Sequence, residues 1–113
     1  MKISKEFIKA WRAWIDITEV PISKSDYRNE ASLNRIIDEL EHLDTYTYTL
    51  GSGIISGNSS GAAEVARGDI MTIDRLAAEI ETCNISEHAR ARLEIYIKAT
   101  RALLDEITRL PQE

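Results

Sequence analysis

The chain has 113 residues, 43% of them hydrophobic and 29% charged, with a formal net charge of −5 and a pI of about 5.1. That length makes one domain with enough apolar residues for a core, and the acidic balance disfavours nonspecific nucleic-acid binding while being too mild and too mixed in sign for DNA mimicry. The single cysteine, Cys83, permits no intrachain disulfide. No apolar run approaches the ~18 residues of a spanning helix. The first residues lack the apolar stretch of a signal peptide, so the cytoplasm is the expected compartment.

In chain order, Ile3, Phe7, Ile8, Trp11, Trp14, Ile15 and Thr18 share one face of a first helix. Ser4 suits its N-cap, and Ile3 and Ile8 have the spacing of a hydrophobic staple. Val20-Pro21 ends it, because the residue before proline avoids the α region. Lys2, Lys5, Lys9 and Arg12 take the opposite face, so residues 1–12 carry +3 and the remainder −8. A basic helix with two tryptophans suits a membrane surface. An aromatic stripe at helical spacing more often faces a core, and that is the expectation.

A polar connection at residues 23–25 offers Ser25 or Ser23 as the next cap. The second helix carries Leu33, Ile36, Ile37, Leu40, Leu43, Thr47 and Leu50 on one face, with Asp44 at its edge and Glu30, Asp38 and Glu41 outside. Residues 45–50 alternate and are rich in β-branched side chains, as in a short hairpin. The stripe continues through them, so helix is preferred over an isolated hairpin of marginal stability. Gly51, Gly53, Gly57, Gly61 and four serines then read as a flexible connector. Gly53, Gly57 and Gly61 also have the spacing of close helix contact, but no phosphate-loop pattern is present.

A helical hairpin follows over residues 61–110. Its first stripe is Ala62, Val65, Ala66, Ile73, Leu76, Ala77, Ile80 and Cys83. Its second is Ala89, Leu93, Tyr96, Ile97, Leu103, Leu104, Ile107 and Leu110. Asn84 suits a left-handed helix end and Ser86 an N-cap, and so short a turn makes the two helices antiparallel. Arg90, Glu94, Lys98 and Arg101, Asp105, Arg109 alternate in sign along a solvated face. The expected fold is therefore all-α: residues 1–113 form an antiparallel four-helix bundle, with one shorter N-terminal helix, three long ones, and a Gly/Ser-rich connector between the second and third.

For a di-iron bundle, Glu39-x-x-His42 supplies one ligand pair, but His88 has Ile85 where the second pair needs a glutamate. No metal or other cofactor is expected. Arg35 and His42 have a spacing that resembles the Arg-x(4–6)-His motif of HEPN ribonucleases, which are small helical dimers. That resemblance implies RNA cleavage by these two residues. Ile36 stands where that family usually has a polar residue. Arg35, Glu39, His42 and Tyr46 fall along one flank, and the simpler reading is a surface salt-bridge row from Arg35 to Glu39 to His42.

The leading functional expectation is a non-enzymatic protein-binding module, an oligomeric inhibitor or regulator. By size and charge alone it is of the immunity-protein or phage anti-defence type. Two sites are expected. If helices 1 and 2 pair about Ile22-Ser23, Ser4 lies near His42. Leu50, Ile54, Ile55, Val65, Leu104 and Ile107 are then left uncovered as an association surface. The second site is a polar layer in which Thr47 and Thr100 donate to Asp69 in the middle of the apolar stripes, flanked by Tyr46 and Tyr48. A carboxylate there needs hydrogen bonds. The layer fixes helix register or forms a pocket for a small ligand.

Overall fold

Ser4 starts the first helix as its sequence expects: its hydroxyl accepts the Phe7 amide N–H at 3.0 Å. In the computed structural model, which describes residues 3–19 and 31–111, helix α1 runs Lys5–Thr18 and turns Phe7 and Trp14 fully into the core. The aromatic face is thus covered by the chain itself, and Lys5, Lys9 and Arg12 remain exposed. The proline stop at Val20-Pro21 and the Ser23 and Ser25 caps lie outside the described residues.

Helix α2 is Ala31–Ile55, unbroken through the stretch that alternates like a strand. Thr45 donates to the Glu41 carbonyl at 3.2 Å and Thr49 to the Thr45 carbonyl at 3.0 Å. These i−4 bonds satisfy hydroxyls that would otherwise compete with the backbone. The helix also takes in Gly51, which the sequence places in the connector. Gly51 is buried beneath Trp11, and a Cβ there would lie 2.1 Å from the indole ring. The actual connector is residues 56–61, where Gly57 (φ +97°) and Gly61 (φ +72°) take the left-handed conformations that other residues avoid.

Helices α3 (Ala62–Thr82) and α4 (Glu87–Arg109) form the expected hairpin, and Ser86 accepts the Ala89 N–H at 3.1 Å. The exit from α3 differs from expectation. Cys83 is extended, and among the described residues only glycines have positive φ, so Asn84 does not close α3 in a left-handed turn. Arg90 caps it instead. Its guanidinium donates to the carbonyls of Ile80 and of Cys83, the latter at 2.7 Å. Arg90 is therefore a helix cap more than a member of a solvated charge row.

All four helices are antiparallel to their chain neighbours. Arg101 reaches Asp74 at 3.1 Å between α4 and α3. Helix α1 lies against the second half of α2, with Trp11 on Gly51 and Tyr48, and Thr18 and Glu19 beside Asp44. It also runs antiparallel to α4, where Trp14 Nε1–H donates to Thr100 Oγ1 at 3.0 Å. This register corrects the expected pairing of Ser4 with His42. The consequence is that Ile54, Leu104 and Ile107 are fully buried and Leu50 is half-buried. Leu104 is not an open association surface. Of that expected patch only Ile55 and Val65 are exposed. Among the described residues, no helix is long and apolar enough to cross a membrane.

Candidate functional site

The expected polar layer does not form as a hydrogen-bonded unit. Thr100 is buried, and its one hydroxyl proton goes to the Tyr96 carbonyl at 2.9 Å while its oxygen accepts from Trp14. It has nothing left to donate to Asp69. Thr47 Oγ1 and Asp69 Oδ2 are both buried without a partner. Asp69 is half-buried on the core stripe of α3, and desolvation alone pushes its carboxyl above the usual range. Tyr46 and Tyr48 are both exposed but sit two residues apart on α2, about 200° around the helix, since each residue turns by about 100°. Tyr48 packs against Trp11 with ring centroids 5.7 Å apart; Tyr46 lies on the far flank. The residues singled out by sequence therefore occupy one bundle without converging on one pocket.

Arg35 and His42 are likewise committed locally. Arg35 bridges Glu39 at 3.3 Å and Glu79 at 3.0 Å, and Arg75 joins Glu39 at 3.3 Å and Glu79 at 3.4 Å. This four-membered lattice ties α2 to α3 and raises the Arg35 guanidinium further, chiefly through its hydrogen bond with Glu79. His42 Nδ1 stands 2.8 Å from the Asp38 carbonyl. Of the salt-bridged row foreseen from the sequence, the Arg35–Glu39 pair forms and extends across to a second helix, while His42 is not part of it.

A second carboxyl, Asp44, is half-buried between α1 and α2. Burial raises it, the nearby Tyr96 hydroxyl offsets part of that shift, and the Glu41 charge adds to it. The Tyr96 phenol is in turn raised, by burial first and then by the Asp44 charge. Among the described residues no three histidine, cysteine or acidic side chains gather as a metal site.

A groove of about 410 Å³ opens between α3 and α4. Ala77 and Ala91 keep its walls low, and Ile80 and Ile97 form its floor. Ile95 is 56% exposed, and Glu81, Glu94 and Lys98 edge the groove. Sequence reasoning missed this place. The available signal was Ile95, an isoleucine that belongs neither to the core stripe of α4 nor to its charged rows. Comparison with protein-family models, with curated proteins and with solved structures found no match.

Proposed function

We propose that this chain is a protein-binding module whose contact surface is the α3–α4 groove. The observation that carries the reading is an apolar floor between two low alanine walls, with an exposed isoleucine beside it. Such a groove suits the apolar face of a partner helix, and the exposed Ile95 makes its apolar lining continuous with the surface, as at an association site. The neighbouring charges, Glu81, Glu94 and Lys98, would act as a rim that sets orientation more than affinity.

The test is Ile95→Glu. Ile95 is exposed, so the fold should persist with an unchanged melting curve. Binding of the native partner should fall by about tenfold or more, since a charge cannot follow an isoleucine into a desolvated contact. Hydrogen exchange on the wild-type complex should slow in residues 77–81 and 91–98. Full partner binding by the variant, or protection confined to α2, would reject the groove. RNA cleavage that depended on Arg35 and His42 would reject the binding-module reading altogether.

A further inference from the structure

We infer that the groove's occupant is a second copy of this chain, which presents the basic ridge of α1. This rests on the groove proposed above and names what fills it. The ridge is Lys5, Lys9 and Arg12 at i, i+4 and i+7, with Ile3 and Ile8 half-exposed beside them. None of the three cations has an ion pair among the described residues. Arg35, Arg75, Arg90, Arg101 and Arg109 are paired. Of the cations without an ion pair among the described residues, Lys5, Lys9 and Arg12 form a row at helical spacing on one face. A row of unpaired cations around two isoleucines is complementary to an apolar groove whose edge carries Glu81 and Glu94 against the single cation Lys98, all three exposed and without an ion pair among the described residues.

Other anionic occupants of the ridge fit less well. Phe7 and Trp14 are fully buried, and Trp11 is pressed on Gly51. Helix α1 therefore has no aromatic face to insert into lipid. A net charge of −5 repels both a membrane of anionic lipids and a nucleic acid. The chain itself supplies an acidic protein surface, because residues 13–113 carry −8. The ridge cannot reach its own groove. Glu6 and Lys9 lie beside Asp105 and Arg109 at one end of α4, while the groove lies at residues 91–98. The separation along that helix is roughly 15 Å at ~1.5 Å per residue. Only another molecule brings ridge and groove together.

A charge swap tests the pairing. One variant is Lys5→Glu with Lys9→Glu; the other is Glu81→Lys with Glu94→Lys. Lys5 is in the first turn of α1 and Glu81 in the last turn of α3, so those two changes agree with the helix dipole. Lys9 and Glu94 lie within their helices, where a new like-charge neighbour four residues away costs little, and a melting curve checks that each variant is folded. By sedimentation velocity at about 0.1 M salt, where charges are screened over about 10 Å, the wild type should self-associate. Each variant alone should sediment as a monomer. An equimolar mixture of the two should associate again, because every ridge then meets a groove of opposite sign. A monomeric wild type, or a mixture that stays monomeric, overturns the self-pairing. If the wild type is monomeric while Ile95→Glu still loses a foreign partner, the groove stands and only its occupant is wrong. If Ile95→Glu affects neither self-association nor partner binding, the groove falls with it.

Discussion

Asp69 and Thr47 each keep a buried oxygen without a hydrogen-bond partner, and both positions therefore oppose folding at neutral pH. The Asp69 carboxyl is raised by burial. Its protonated form is thus favoured in the folded state, so this contribution is most favourable below the unfolded value near 3.8. Stability declines as pH rises through the higher folded value and is level beyond it. Asp69→Asn should raise stability at pH 7 by about 1 kcal/mol, after allowance for solvent screening at a half-buried group. The gain should vanish below about pH 3.8, where the wild-type carboxyl is neutral in both states; thermal melts across pH check this. Thr47→Val replaces an unpartnered hydroxyl with a methyl of the same shape and should stabilise by roughly 1 kcal/mol in a urea melt. Gly51 works the other way. Glycine to alanine within a helix would ordinarily gain about 1 kcal/mol, but here the new methyl would overlap the Trp11 ring. Gly51→Ala should cost about 1–3 kcal/mol through overpacking, and a stabilised variant would show that Trp11 lies elsewhere.

At the scale of the helices, what could be read in the sequence was what is local. The Ser4 and Ser86 caps, the apolar stripes of α1 to α4 and the hairpin at residues 83–86 all follow from spacing within a few residues of one another. The threonine-rich stretch in α2 was legible only because the apolar stripe outlasted the strand-like alternation. The ends of α3 were less so. Whether Asn84 turns left-handed or an arginine ten residues after Ile80 caps the carbonyls is decided by how α4 docks, which no local pattern records. Arg90→Ala removes both cap bonds and should cost about 1–2 kcal/mol, with faster hydrogen exchange at residues 80–83. Exchange that is unchanged there would mean that water already serves those carbonyls.

For the molecule as a whole, the bundle was legible and the register of its first helix was not. Antiparallel pairing about an assumed turn at Ile22-Ser23 moved α1 towards the wrong half of α2. The two expected sites inherited that error. Leu104 became an open end when it is closed by the chain itself, and Thr100 was reserved for Asp69 when Trp14 and the Tyr96 carbonyl already satisfy it. A glycine placed under an indole was the clue, since Gly51 is otherwise an unlikely choice within a 25-residue helix. Because α1 seals that end, the surface proposed for a partner is instead the α3–α4 groove, with Ile95 beside it. The placement of α1 is therefore the claim on which both the fold and the proposed surface depend. It is tested most directly by nuclear Overhauser contacts of the Trp11 ring in a labelled sample. Cross-peaks to the Gly51 α-protons and the Tyr48 ring are expected, with the Gly51 protons shifted upfield by the indole. Cross-peaks from Trp11 to Arg35 and Ile36, and none to Gly51, would contradict the register and reopen the Leu104 end.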